Sequence, residues 1–289
     1  MTSEQLKNLQ GLGLEDKVKL TKARIKEFVS KFGSDRCYIS FSGGKDSTVL
    51  LDIVRSIYPD MKAVYIDTGL EFPEIKEFVK SIENVEVIRP RKSFVEVIEE
   101  YGYPVISKEI ALTIEYARKG SKWALDRLEG KHEYGNHAKY KWLLNEPYKV
   151  SSRCCDVMKK EPAKRYEKKS GRHPIIGTMA SEGGQRRSAY LRTGCNVFDG
   201  EHERPMSKPM SFWLESDVWE YIKSRGIRYC EIYDKGYSRT GCMFCMFGYQ
   251  CEKSPTRFDL MSKTHPQIYE YCMEKLGLKG IKESIDKHK

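Results

Sequence analysis

The chain has 289 residues, 39% of them hydrophobic and 11% aromatic, which allows a large hydrophobic core and excludes a disordered protein. Lysine and arginine number 51 against 41 aspartates and glutamates, a formal net charge of +10. This excess favours anionic partners such as nucleotides or nucleic acid, although a solvated lysine-rich surface explains the terminal lysines equally well.

The sequence shows no sign of export or of membrane insertion. Residues 1–7 are polar and lead into no apolar signal segment, and no run approaches the ~20 apolar residues that a transmembrane helix needs. We therefore expect a cytoplasmic protein with no membrane partner. In a reducing cytoplasm, its nine cysteines favour metal binding or catalysis over structural disulfides.

The first predicted elements are a helix, a strand and a second helix. Apolar residues recur at helical spacing between Val18 and Phe32, and Gly33 is a stop signal. The β-prone run 37–41 leads directly into a Gly-containing turn. A helix is then predicted over 48–57, with its apolar residues on one buried side.

The following elements continue the alternation of strands and helices. We predict strands over 62–66, 85–88 and 174–178, and helices over 71–82 and 213–222. This alternation predicts a Rossmann-like α/β fold with a parallel sheet and helices on both faces. Its ligands are expected beyond the carboxyl ends of the strands, where the turn after residue 41 and Asp67 both fall.

The composition changes near residue 236, where Gly, Cys, Met and aromatic residues dominate up to Cys251. We therefore predict an N-terminal helical segment (1–35), a nucleotide-binding α/β domain (36–235) and a small Cys-containing C-terminal segment (236–289).

The turn after the first strand has the composition of a phosphate-binding loop. Its glycines allow close approach of the backbone, its hydroxyls and lysine suit phosphate, and the following helix N-terminus favours an anion. It is not a Walker A loop, because Asp46 follows Lys45 where that motif has Ser or Thr. The alternative is an ordinary Gly-rich turn. The expected nucleotide-binding residues here are Ser42, Gly43, Gly44, Lys45, Asp46 and Ser47.

Two cysteine pairs form a second candidate site. Cys154 and Cys155 are adjacent, and a disulfide between neighbours would be strained. Cys242 and Cys245 form a Cys-x-x-Cys hook. Together the pairs offer the four thiolates that an iron–sulfur cluster or a structural zinc needs, and four buried free cysteines are the alternative.

Other residues are weaker candidates. Arg186 and Arg187 follow the strand at 174–178 and could hold phosphate or sulfate, or lie on the surface. Lysines 159, 160 and 164 flank the cysteine doublet and fit a solvated helix face slightly better than an anion-attracting one. Cys251 and Cys272 are candidates for a redox or sulfur-carrying thiol, against the commoner buried inert cysteine.

These motifs resemble a known superfamily. Residues 42–47 resemble the PP-loop of the ATP pyrophosphatases, and the run Ile66-Asp-Thr-Gly-Leu-Glu-Phe-Pro-Glu74 is similar to the phosphoadenosine phosphosulfate (PAPS) reductase family. Weaker matches, among them Trp213 and Asp217, extend the resemblance over about residues 36–250, and it implies the HUP-type form of the Rossmann-like fold. The resemblance implies that Lys45 and Asp46 are catalytic and that ATP is used with Mg²⁺. It also implies that Asp67 lines an adenine-nucleotide site. Arginines such as Arg186 and Arg187 are then expected to contact the substrate or the nucleotide.

The cysteine pattern Cys-Cys…Cys-x-x-Cys resembles that of the iron–sulfur adenylylsulfate (APS) reductases in the same family. The resemblance implies a [4Fe–4S] cluster on Cys154, Cys155, Cys242 and Cys245, with zinc as the alternative.

Three functions fit these observations. The first is an ATP pyrophosphatase that adenylates a nucleic-acid or small-molecule acceptor for sulfur transfer, with a sulfur-donor protein as a further partner. The second is an APS or PAPS reductase, and the third a non-enzymatic nucleotide and iron–sulfur sensor or assembly subunit. We favour the first because reductases of the family generally lose the Lys-Asp pair, which is intact here, and carry a Glu-Cys-Gly cysteine that residues 276–289 lack.

Overall fold

The computed structural model describes residues 1–132, 135–198 and 204–289. The chain divides into two compact units built from interleaved segments. Unit 1 comprises Met1–Asp67, Pro73–Ile88 and Ala163–Ile232, and unit 2 comprises Thr68–Phe72, Arg89–Pro162 and Tyr233–Lys289. Within the described part of the chain, no helix combines the length and apolar character needed to cross a membrane.

Unit 1 is built on a six-stranded sheet in the order β3-β2-β1-β5-β7-β6. All neighbouring strands run parallel except β6 and β7, which pair antiparallel. The strands are β1 (Cys37–Ser40), β2 (Ala63–Ile66), β3 (Val85–Ile88), β5 (His173–Ile176), β6 (Asn196–Val197) and β7 (Met206–Ser207). The expected α/β fold with a mostly parallel sheet is confirmed.

The sheet is centred on β1, whose Ile39 pairs with Ala63 on one side and Ile175 on the other. Residues 37–39 are buried, as expected for a strand covered on both faces of a parallel sheet. The helices that accompany unit 1 are α1 (Ser3–Gln10), α2 (Leu14–Phe32), α3 (Lys45–Arg55), α4 (Pro73–Lys80), α8 (Glu161–Ser170), α9 (Gly184–Thr193) and α10 (Glu215–Arg225).

Helix boundaries differ from the sequence prediction by up to three residues. Helix α3 begins at Lys45 instead of residue 48, because Gly44 is extended and acts as the N-cap. Helix α4 begins at Pro73, which suits the first helical position, instead of residue 71. Helix α10 begins after Leu214, whose backbone N–H donates to Asp217 Oδ2 at 2.6 Å.

A buried ion pair joins α2 to α10 within unit 1. Lys17 Nζ lies 2.6 Å from Asp217 Oδ2, and the lysine side chain is 1% exposed. Beside it, the indole N–H of Trp213 donates to Thr21 Oγ1 at 2.9 Å. Trp213 and Asp217, two of the family-like positions, therefore have a structural role in this fold.

Unit 2 combines a short parallel pair of strands with helices. Strands β4 (Val105–Ile106) and β8 (Met246–Phe247) pair with Val105 opposite Met246. The helices are α5 (Phe94–Glu100), α6 (Lys108–Ala117), α7 (Lys122–Leu128), α11 (Arg257–Thr264), α12 (Pro266–Glu270) and α13 (Leu278–Lys287). Residues 233–289 thus pack with residues 89–162. The predicted division at 35 and 235 remains a proposal.

Candidate functional site

Residues 42–47, which we call the phosphate loop, connect β1 to α3 and include the start of that helix. The loop lies at the carboxyl end of the central strand β1. Gly43 has φ +73°, and a Cβ there would lie 2.8 Å from Ile75 Cγ2, so only glycine fits without strain. The Ser42 backbone N–H donates to Ser47 Oγ at 3.1 Å, and Ser47 Oγ donates to the Gly44 carbonyl at 2.9 Å. These bonds close the loop around the first turn of α3, whose N–H groups and dipole favour an anion.

Lys45 and Asp46 occupy the first turn of α3 in contrasting environments. Lys45 is buried, and its Nζ lies 3.1 Å from Glu215 Oε1 and 3.7 Å from Asp46 Oδ1. Among the described residues, Asp46 Oδ1 is buried without a hydrogen-bond partner. Burial raises the pKa of Asp46, with Lys45 opposing the rise and Glu182 and Glu215 adding to it. A bound cation or hydrogen-bond donor would relieve this carboxylate, so the position fits a Mg²⁺ that accompanies a nucleotide.

Asp67 and Arg186, two of the predicted nucleotide-binding residues, each form an ion pair within unit 1. Asp67 follows β2, the strand beside β1, and its Oδ1 lies 3.5 Å from Lys76 Nζ. Arg186 forms an ion pair with Glu182, the carboxylate that acts on Asp46. Because β1 and β2 are parallel neighbours, Asp67 and the phosphate loop lie at the same edge of the sheet.

A cavity of about 260 Å³ lies beyond the end of β5 in unit 1. Thr178, Arg186 and Lys208 are among its lining residues, so two cationic side chains border it. Arg187, the neighbour of Arg186 on α9, is exposed. The cavity is large enough for one small anionic or heterocyclic group, and its cations suit a phosphate or sulfate.

The four candidate cysteine ligands all lie in unit 2. Cys154 and Cys155 precede a π-helical turn, Asp156–Lys160, and Cys242 and Cys245 lie just before β8. Among the residues that the structure describes, no three His, Cys, Asp or Glu side chains are arranged to hold a metal ion. The four thiols nevertheless act on one another: burial raises the pKa of Cys154, and Cys242, Cys155 and Cys245 raise it further.

The hook is held from both sides by backbone and side-chain hydrogen bonds. Met243 N donates to the Leu70 carbonyl at 2.8 Å. The guanidinium of Arg257 donates to the carbonyls of Cys245 at 3.1 Å and Phe247 at 3.0 Å, and it pairs with Glu252. These contacts fix the backbone of the hook, so the arrangement of the thiols depends on side-chain rotation.

A lysine outside the predicted ligand set contacts the thiols. Burial lowers the pKa of Lys159, but Cys242, Glu71, a hydrogen bond to Cys242 and Cys155 together outweigh it, so that the pKa is raised overall. The expectation that Lys159 belongs to a solvated helix face is therefore wrong, whereas Lys160 is exposed and pairs with Asp156 at 2.6 Å.

The four candidate ligands have the chemistry that an iron–sulfur cluster or a zinc ion requires, since all four are thiols. Burial raises the pKa of Cys245 to about 11, so an unassisted thiolate is disfavoured. A bound metal supplies the positive charge that offsets this cost. Of the other two candidate thiols, Cys251 is exposed, while Cys272 is fully buried and burial raises its pKa to about 12.

Sequence reasoning missed Glu215, Glu182 and Arg257. Glu215 lies 170 residues from Lys45 along the chain, and no local pattern links the two. Arg257 follows Thr256, which caps α11, and this capping signal marks the helix start without indicating that the arginine turns back to the hook.

The chain matches the family model described as the phosphoadenosine phosphosulfate reductase domain over residues 36–119 and 106–247. It is 26% identical over 240 residues to the adenosine 5'-phosphosulfate reductase of Staphylococcus epidermidis, covering 81% of this chain and 79% of that protein.

An uncharacterized protein of Methanocaldococcus jannaschii is 27% identical over 256 residues, covering 84% of this chain. The chain spans only 48% of the length of that relative. Among solved structures, the phosphoadenylyl-sulfate reductase of Candida auris in a phosphate complex is similar with a TM-score of 0.48 and 16% identity. That match covers 84% of this chain and 96% of the Candida protein.

Proposed function

The chain belongs to the phosphoadenosine phosphosulfate reductase family, and we propose on this basis that it cleaves ATP to adenylate a substrate for sulfur transfer. In this reaction an acceptor oxygen attacks the α-phosphorus, the bond to the β-phosphate oxygen breaks, and pyrophosphate leaves. Hydrosulfide then attacks the carbon that carries the adenylated oxygen, the carbon–oxygen bond breaks and AMP leaves, so the products are pyrophosphate, AMP and a thiolated acceptor.

The intact Lys45-Asp46 pair at the start of α3 carries this proposal. Lys45 is a buried cation that can pass from Glu215 to a phosphate oxygen, and the N–H groups of the loop can hold the same phosphates. Asp46 Oδ1 supplies a carboxylate oxygen for Mg²⁺, which neutralises phosphate charge when bound.

The four cysteines would hold a [4Fe–4S] cluster, which supplies a place to bind sulfide or to pass an electron. Cys154, Cys155, Cys242 and Cys245 are the proposed ligands, and Arg257 keeps the backbone of the hook in place. Lys159 donates to Cys242 and keeps a positive charge beside the thiols. The same lysine could hold an anionic donor near them.

A second function is favoured by a specific observation. The relatives at 24–26% identity include several proteins named adenosine 5'-phosphosulfate reductase. Reduction of APS or PAPS to sulfite therefore remains the alternative, and the cationic cavity bordered by Arg186 and Lys208 suits a sulfate group as well as a phosphate.

The deciding experiment follows the fate of ATP. Protein purified without oxygen is incubated with α-labelled ATP, Mg²⁺, sulfide and a deproteinised cell extract as the source of acceptors. We expect labelled AMP and equimolar pyrophosphate, dependent on Mg²⁺. Production of ADP and phosphate, or no turnover, contradicts the proposal. Sulfite released from APS or PAPS with a thiol reductant would establish the alternative instead.

The cofactor is tested by metal analysis of the same preparation. We expect a brown protein with about four iron atoms and sulfide, and loss of both in Cys154→Ser and Cys242→Ser. Cys251→Ser is the matched control, because that thiol is exposed and outside the ligand set. A colourless protein that contains one zinc ion per chain would contradict the cluster and show that the four cysteines bind zinc instead.

A further inference from the structure

Helices α6 and α7 of unit 2 display an exposed group of apolar side chains. Three of the seven large hydrophobic residues found exposed among the described residues lie here, namely Leu112 (38%), Tyr116 (47%) and Trp123 (43%). Leu112 and Tyr116 are four positions apart on α6 and share one face of that helix. The rings of Tyr116 and Trp123 meet edge to face, with centroids 6.4 Å apart. We call these three residues the aromatic face.

The aromatic face rests on a rigid support. The guanidinium carbon of Arg127 lies 5.1 Å from the ring centroid of Trp123, and Arg127 is itself 8% exposed. Its Nε donates to the Gly135 carbonyl at 2.8 Å, and its Nη2 pairs with Glu109 of α6. The indole is therefore held from one side by a fixed cation, while its exposed fraction remains available to a ligand.

Two lysines border the aromatic face. Lys119 Nζ lies 5.7 Å from the ring centroid of Tyr116 and 2.9 Å from Glu115 Oε1, a partly exposed ion pair that a phosphate can replace, and Lys122 is exposed next to Trp123. Residues 108–149 contain nine lysines and arginines against six aspartates and glutamates. A protein-binding surface of this kind would need a larger apolar core, whereas rings interleaved with cations suit stacked bases and phosphates.

We propose that the aromatic face binds a single-stranded nucleic acid. Bases would stack on Trp123 and Tyr116, and Lys119 and Lys122 would contact the phosphates. Within the proposed function, this makes the sulfur acceptor a nucleic acid. The role as acceptor rests on that function, but the binding itself does not.

Binding is measured by fluorescence anisotropy with a labelled, unstructured single-stranded RNA of about 20 nucleotides and the full chain. We expect Trp123→Ala to raise Kd about 10-fold, because stacking of one base contributes ~1–3 kcal/mol. Trp123→Phe should restore most of the affinity. Lys122→Ala should reduce the number of counterions released on binding by about one, which is measured as a smaller slope of log Kd against the logarithm of the salt concentration.

Two control variants are matched to these changes. Tyr271→Ala removes an aromatic ring that is 45% exposed on another part of unit 2, and Lys131→Ala removes an exposed lysine that pairs with Glu129. Neither should change Kd more than about twofold. Circular dichroism melting curves show whether each variant is folded, and the salt dependence of binding by Lys122→Ala keeps the test valid if Trp123→Ala is not folded.

The outcomes separate this proposal from the proposed function. Unchanged affinity in Trp123→Ala and Trp123→Phe, or no binding by the wild type at low salt, overturns it. A concentration-dependent dimer that Trp123→Ala abolishes, without an effect on RNA binding, assigns the face to protein contact and also overturns it. If RNA binding depends on Trp123 but no pyrophosphate is released from ATP, the aromatic face binds RNA and the proposed ATP cleavage is refuted. If pyrophosphate is released but the protein does not bind RNA, ATP cleavage stands and the RNA-binding proposal is refuted.

Discussion

Lys45 and Glu215 form an ion pair at the phosphate loop, with Nζ of the lysine 3.1 Å from Oε1 of the glutamate. The lysine side chain is 6% exposed and the glutamate side chain 59% exposed. A phosphate that enters the loop must therefore compete with a carboxylate that is partly in water, which makes the exchange inexpensive.

Replacement of Lys45 tests this exchange directly. Lys45→Ala should lower kcat/KM for pyrophosphate release about 10²–10³-fold, because one preorganised cation at the transferred phosphate is lost. The measurement is steady-state release of labelled pyrophosphate. Lys62→Ala is the control, since Lys62 is a half-exposed lysine of unit 1 that pairs with Glu86. An effect below twofold in Lys45→Ala would remove this residue from the site.

The contribution of Asp46 to the free energy of unfolding of the ligand-free protein should be less favourable at neutral pH than at acid pH. The folded-state pKa of this residue is raised, chiefly by burial, so the unfolded chain ionises it more readily. The stability that the protonated carboxyl contributes is complete below the unfolded pKa of ~3.9 and is lost as pH rises through the folded pKa.

Asp46→Asn should therefore melt at a higher temperature than the wild type at pH 7, with the difference shrinking toward pH 4. Thermal melts without nucleotide measure this, and Asp16→Asn, at an exposed carboxylate, is the control. A lower melting temperature for Asp46→Asn at pH 7 would show that its attraction to Lys45 outweighs burial.

Arg257 should control how firmly the metal is held. Its planar fork bridges the carbonyl of Cys245 in the hook and that of Phe247 in β8, and lysine cannot reproduce that geometry. We expect Arg257→Lys to lose iron to a chelator about 10-fold faster than the wild type, as for other groups that orient metal ligands. Absorbance of the cluster follows the loss, and Lys253→Ala is the control. Equal rates in both variants would contradict a positioning role.

The pair between Lys17 and Asp217 should contribute strongly to the stability of unit 1. Asp217→Ala leaves a buried ammonium without its carboxylate, which costs ~3–5 kcal/mol in the free energy of unfolding. Urea unfolding measures the loss. The double variant Lys17→Met/Asp217→Leu should recover most of it, because no unpaired charge remains. A double variant as unstable as Asp217→Ala would contradict this account.

Much of unit 1 could be predicted from sequence because its signals are local. Apolar runs located the strands β1, β2 and β3 to within a residue or two, and the six-residue loop marked the turn between β1 and α3. The start of α3 was placed late because Gly44, not an Asn or Ser side chain, forms its N-cap.

The parts that were missed depend on contacts between distant segments. Glu215 reaches Lys45 only once α10 is in place, and Lys159 meets Cys242 only once the hook, more than 80 residues later in the chain, is in place. Neither event has a periodic pattern in the sequence. The ligand set itself came from spacing and resemblance, which identify donor types but cannot fix how the thiols are oriented.

The interleaving of the two units sets an order of events during synthesis. The phosphate loop ends at residue 47, but the strand β1 that leads into it also needs β5 at residues 173–176, and the cysteine doublet at 154–155 needs the hook at 242–245. The strand that follows the hook, β8, also requires β4, made long before it. A ribosome-bound chain whose hook has not yet been made therefore offers only two of the four proposed ligand thiols, so any metal loading must come late.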